Sequence, residues 1–135
     1  QNKGTIGYIS AAYLIQQHIS TAAIGNAAGR FEFPNGVNIA NAAASDSKIP
    51  PQGSAFTSAN GVPIQYPSKK YKIAYPISTY TYVIVPLESS KAGELTEFIE
   101  YAIGEGQQFG PDLDFAPLPK QVVAADKQAL AKIGE

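Results

Sequence analysis

Apolar and polar positions change period several times along this chain, and each change predicts an element. Thr5-Ile6-Gly7-Tyr8-Ile9 reads as a short strand. Ser10 then stands where a helix through Ala11, Ala12, Tyr13, Leu14 and Ile15 to about His18 needs its N-cap. A second strand is predicted over 21–24, followed by turn signals at Gly25-Asn26 and Gly29-Arg30 and a brief extended piece, Phe31-Glu32-Phe33-Pro34. Asn35 can cap a helix whose apolar positions are Val37, Ile39, Ala40, Ala43 and Ala44. From 45 to 68 proline, glycine, serine and asparagine take over, which predicts a long loop or a set of short turns.

The strongest pattern is Tyr75-Pro76-Ile77-Ser78-Thr79-Tyr80-Thr81-Tyr82-Val83-Ile84-Val85-Pro86. Side chains alternate along a strand, so Tyr80, Tyr82 and Ile84 point one way and Thr81, Val83 and Val85 the other. A strand apolar on both faces predicts burial on both faces, as in the centre of a helix-covered α/β sheet. Pro76 and Pro86 bracket it, where proline does no harm to a ladder. Ala92, Leu95, Phe98, Ile99, Ala102 and Ile103 then form one stripe at helical period, with Gly104 and Gly106 to stop the helix. A last helix begins near Pro119, with Val122, Ala125, Ala129 and Ile133 as its stripe and Gly134 after its end. The fold class predicted by this order is α/β, a sheet flanked by helices.

With 135 residues the chain has one domain's worth of length. A compact domain of that size buries roughly two-thirds of its unfolded surface. A net charge of -1 supplies no long-range field for nucleic acid or an anionic membrane. Lys69, Lys70 and Lys72 form the only basic cluster and read as solvated surface. With no cysteine, disulfides, thiolate catalysis and cysteine-ligated zinc are excluded. No run approaches the ~20 apolar residues that span a bilayer. The chain starts at Gln1 without methionine, which raises the expectation that an upstream segment was removed.

Candidate chemistry is sparse. His18 is the single histidine, so a zinc site would have to be built from carboxylates or carbonyls. Near a helix end it serves the helix dipole or is simply exposed. A Ser-His-Asp hydrolase centred on His18 lacks the Gly-x-Ser-x-Gly elbow. Gly104-Glu105-Gly106-Gln107-Gln108-Phe109-Gly110 has neither the spacing nor the strand-to-helix setting of a dinucleotide loop. Asp112 and Asp114 lack the rest of a calcium loop. Glu94, Glu97, Glu100 and Glu105 read as a solvated helix face, not a metal site. The expectation is a protein that is not an enzyme and uses no metal or cofactor.

Four motifs in order resemble a known family. Gly4-Thr5-Ile6-Gly7-Tyr8-Ile9, the 75–86 stretch, Phe98-Ile99-Glu100-Tyr101-Ala102-Ile103-Gly104-Glu105-Gly106-Gln107 and Leu113-Asp114-Phe115-Ala116-Pro117-Leu118-Pro119 with Val122-Val123 look like the C-terminal part of the phosphate ABC transporter substrate-binding proteins. The resemblance runs from about Gly4 to Ile133 and is poorest across 45–68. It implies a type II periplasmic-binding-protein-like fold of two α/β lobes joined by crossover strands, with an anion held in the cleft. On that reading residues 1–68 are the end of the second lobe plus a loop-rich connection. Residues 69–135 are the crossover strand and the C-terminal helices of the first lobe.

The resemblance further implies inorganic phosphate as ligand, an ABC transporter permease as partner, no nucleic acid, and a periplasmic or extracellular, envelope-associated location. The family grips phosphate mainly through N-terminal motifs that this chain lacks. Its one arginine, Arg30, lies in a turn that the family uses as surface. Gly7 and Tyr8, at a strand end, are the cleft candidates, because α/β ligands gather at carboxyl ends of strands. Their alternative role is packing. Ser78, Thr79 and Tyr80 are hinge-adjacent candidates. A second reading is a stand-alone structural or interaction module that docks on a separate N-terminal half or on a second copy of itself.

Overall fold

The computed structural model of the chain describes residues 3–45, 64 and 66–134. Its first half is organised by a hairpin and one helix. Strands β1 (Ile24–Gly25) and β2 (Phe31–Glu32) pair antiparallel, with Ile24 opposite Glu32 and Gly25 opposite Phe31. The turn between them closes through Asn26 N–H donating to the Arg30 carbonyl at 2.8 Å and Gly29 N–H donating to the Asn26 carbonyl at 3.0 Å. Gly29 sits at φ +76°, a left-handed position where a side chain is costly. Asn26 Oδ1 accepts from both Ala28 N–H and Arg30 N–H, an Asx-type local bond that favours the turn over longer strands.

Helix α1 (Ala11–Gln16) precedes the hairpin and α2 (Gly36–Ala43) follows it. Asn35 caps α2 as its sequence position predicts, Oδ1 accepting from Asn38 N–H at 2.9 Å. Ser10 occupies the cap position of α1 but makes no side-chain cap bond. The buried face of α2 is Asn38, Ala42 and Ala43; of the predicted stripe Ala43 is buried, Ile39 and Ala40 are half-buried, and Val37 and Ala44 are exposed. Asn38 turns inward because its amide has acceptors there: Nδ2 donates to Glu32 Oε2 and to the Phe33 carbonyl. The small core is Ala42, Ala43, Ile64 and Ala74, with Tyr71 and Tyr80 packed against it. Ala42 and Ala74 are 0 % exposed, so neither position has room for a larger side chain.

Three expectations are corrected here. Residues 5–9 form no strand, and Ile6 and Tyr8 project into solvent. The predicted 21–24 strand is reduced to the two residues of β1. Residues 75–86 are not a central strand: no ladder is assigned to them, and Val83 and Ile84 are 63 % and 76 % exposed. A doubly buried strand needs ladders on both edges and layers on both faces. Among the described residues the only sheet is the two-stranded hairpin, which supplies neither. Of the predicted 45–68 loop, residues 46–63 and 65 lie outside the described residues. The architecture is thus helices with a small antiparallel sheet, compatible with an α/β class.

The second half follows its sequence in its elements, although Phe98 of the predicted stripe is exposed. Helix α3 (Ala92–Ile103) stops at Gly104, two short 3₁₀ turns follow (Glu105–Phe109 and Pro111–Leu113), and α4 (Lys120–Leu130) starts after Pro119. Asp114, in the left-handed region at φ 60°, ends the second turn. Ile99 of α3 and Val122 and Leu130 of α4 are the buried positions. Gln107 ties this half together. Its Nε2 donates to the Ala102 carbonyl at 2.7 Å, near the end of α3, and its Oε1 accepts from Leu118 N–H at 2.8 Å. Those bonds give the Gly-Gln and Pro-Leu-Pro motifs a shared structural purpose: they fasten the approach to α4 onto the end of α3.

Candidate functional site

The sequence-predicted site residues do not converge. Gly7 has no heavy atom within 4 Å of where a Cβ would stand, and the Tyr8 side chain is fully exposed. Ser78 Oγ donates to the Tyr75 carbonyl at 2.9 Å, a local turn bond. Thr79 Oγ1 lies 3.5 Å from the Tyr80 carbonyl, at the weak limit of a hydrogen bond. Tyr80 packs against the alanine core and its hydroxyl donates to the Ala43 carbonyl at 3.4 Å. Ser78, Thr79 and Tyr80 therefore lie where the chain leaves the first-half core, whereas Gly7 and Tyr8 stand on an exposed arm.

Arg30 is engaged. Its Nε donates to Glu32 Oε1 at 2.7 Å, and the other Glu32 oxygen accepts from Asn38. The pairing uses one of the five guanidinium N–H donors, and the adjacent carboxylate lessens the pull of Arg30 on a second anion. His18 is exposed, in the left-handed region at φ 51°. Lys70 Nζ lies 5.7 Å from the Tyr71 ring centroid, within reach of a weak cation–π contact, and Lys69, Lys70 and Lys72 are exposed. Glu94, Glu97, Glu100 and Glu105 are all exposed. Among the described residues no three histidine or carboxylate side chains gather as a metal site, and no helix is long and apolar enough to cross a membrane.

Two shallow grooves border α2. One, of about 460 Å³, runs between its N-terminal turn and the 111–117 segment and is lined by Ile15, Val37, Phe115 and Pro117 with Asn35 and Asp114. The other, of about 440 Å³, is lined by Leu14, Ile15, His18, Phe33 and Asn35. A dehydrated oxyanion needs several converging N–H and guanidinium donors. Neither groove is lined by arginine or lysine, and the Asp114 carboxylate on the first repels an anion. Neither groove is therefore built as a phosphate cradle.

The residue with the densest polar bonding is one the sequence marked only as a turn signal. Asn26, 7 % exposed, accepts the two turn N–H groups and donates through Nδ2 to the carbonyls of Lys72 at 2.9 Å and Ala74 at 3.1 Å. An asparagine that opens a tight turn is visible in sequence; its partners 46 and 48 residues onward are not.

One titration is displaced in the second half. Burial on α4 pushes the Asp126 carboxyl above the usual aspartate range. The folded state thus holds that proton more firmly than the unfolded chain. The resulting penalty is absent at pH values below the unfolded carboxyl range and grows as pH rises through the raised folded value. Asp126→Asn is expected to stabilise the fold at neutral pH and to lose that advantage in acid. Urea midpoints at pH about 3 and about 7 check this, and an equal gain at both would refute it.

Comparison with known proteins gives a consistent picture. The chain is 28 % identical over 128 residues to the phosphate-binding protein PstS of Xylella fastidiosa, covering 91 % of this chain and 32 % of that protein. It is 26 % identical over 125 residues to PstS of Pasteurella multocida, covering 90 % and 34 %. With PstS of Haemophilus influenzae it shares 25 % identity over 130 residues, covering 94 % and 36 %. The chain is thus related to phosphate-binding proteins along nearly all of its length, as its ordered motifs imply. It spans about a third of the length of these curated relatives. No family model and no solved structure matches it.

Proposed function

We propose that this chain is the C-terminal portion of an extracytoplasmic solute-binding protein for inorganic phosphate. The whole protein would deliver the anion from the periplasmic or extracellular side to an ABC transporter permease. The observation that carries this reading is the likeness, over nine tenths of the chain, to phosphate-binding proteins about three times as long. Capture in such a protein is lobe closure over an anion, with no bond made or broken. In this reading residues 1–68 end the second lobe and connect, and residues 69–135 return to the first lobe and finish it. Gly7 and Tyr8 border the cleft, and Ser78, Thr79 and Tyr80 sit beside the hinge. In this reading the phosphate grip lies mainly outside these residues. Ile6, Tyr8, Val83, Ile84 and Phe98 are exposed, as they would be where the rest of a longer protein covers them.

Calorimetry tests the proposal. The isolated chain is expected to give no binding heat with phosphate. A hybrid in which this chain replaces the matching third of the Xylella fastidiosa protein is expected to bind it, and Tyr8→Ala in the hybrid to weaken binding about tenfold, ~1.4 kcal/mol. Tight stoichiometric uptake by the isolated chain, or a folded hybrid that ignores phosphate, would overturn the reading.

A further inference from the structure

Residues 66–80 lie across the first half as a strap. Tyr66 Oη donates to the Gly25 carbonyl at 3.2 Å, Asn26 Nδ2 holds the carbonyls of Lys72 and Ala74, and Tyr75 N–H donates to the Asn38 carbonyl at 3.1 Å. Tyr80 Oη reaches the Ala43 carbonyl on α2. Ala74 fills the floor beneath the strap, packed with Ala42 and Ala43. Every one of these anchors is on the hairpin or α2. Past Tyr80 the bonding thins: among the described residues Tyr82 is still engaged, but Thr81, Val83, Ile84 and Val85 show no bond to the hairpin or α2. The second half is fastened separately, through α3 against α4 and through Gln107.

We infer that the strap, the hairpin and α2 open and close as one cooperative unit, independent of the α3–α4 half, and that the Asn26 amide is the positioning group that couples turn to strap. One side chain serves both structures. Its oxygen holds the turn and its nitrogen holds the strap, so loss of either set of bonds loosens the same planar group. Cooperative units of this kind appear as contiguous regions whose amide hydrogens exchange together. The inference goes beyond the phosphate reading and does not depend on it.

Amide hydrogen exchange on the full chain, resolved by residue with NMR, tests it. Asn26→Asp keeps the two acceptor bonds to Ala28 and Arg30 but cannot donate to Lys72 or Ala74. Exchange at Tyr75 N–H is expected to rise about tenfold or more, with smaller change at Arg30 N–H and none at the α3 and α4 amides. Gln107→Ala provides the reciprocal arm: Leu118 N–H is expected to speed up while Tyr75 N–H stays as it was. An unchanged Tyr75 amide in Asn26→Asp would overturn the coupling. A parallel rise in both halves, in either variant, would show a single cooperative unit and overturn the independence.

Discussion

Asn26→Ala is expected to lower the unfolding free energy by about 3 kcal/mol, the largest loss from any single polar side chain described above. The substitution deletes four hydrogen bonds at a buried position. It also strands the carbonyls of Lys72 and Ala74 and the N–H groups of Ala28 and Arg30. Unmade bonds at buried groups cost more than made ones contribute, about 1–3 kcal/mol each before relaxation. Water entering the turn recovers part of that, which is why the expected sum stays near 3 kcal/mol rather than above it. Domain stabilities run about 5–15 kcal/mol, so the variant is expected to populate unfolded chain visibly. Urea unfolding followed by circular dichroism measures it. A loss under about 1 kcal/mol would mean that the strap is held by its alanine packing and not by the amide.

Gly104→Ala is expected to cost about 2 kcal/mol, from crowding. A Cβ added at Gly104 would stand 2.7 Å from the Glu100 carbonyl oxygen, backbone that cannot step aside without unwinding the last turn of α3. The same turn leads into the 3₁₀ segment that carries Gln107, so the displaced backbone would also spoil the bonds to Ala102 and Leu118. Gly93 is the internal control. It lies in the first turn of the same helix with nothing within 4 Å of its added Cβ. There the change to alanine is expected to stabilise by about 0.5–1 kcal/mol, the ordinary difference in helix propensity. Thermal or urea unfolding of the two variants side by side reads opposite signs. Matching signs would show that the space around Gly104 can yield.

Among candidate site residues, little could be read from the sequence alone. The two grooves beside α2 are lined mostly by aliphatic and aromatic groups, with one carboxylate on the first, and periodicity announces neither. Gly7 and Tyr8 could be nominated from a strand-end rule, but the strand is not formed among the described residues, so the rule has nothing to act on. Arg30, read in sequence as a surface turn residue, is exposed just ahead of β2 and pairs through Nε with Glu32 two residues on.

What local chemistry alone settled are the features decided within a few residues. Asn35 bonds a backbone group three positions ahead, Pro119 stands just before α4, and Gly104 ends α3 where its stripe stops. Their energies do not depend on what lies across the molecule. The strap over 66–80 and the solvent exposure of Val83 and Ile84 were settled only by tertiary contact. An alternating apolar run states a demand for cover on two faces, and a side-chain amide in a tight turn states a demand for a partner. Whether either demand is met depends on surfaces tens of residues away, and periodicity carries no information about those.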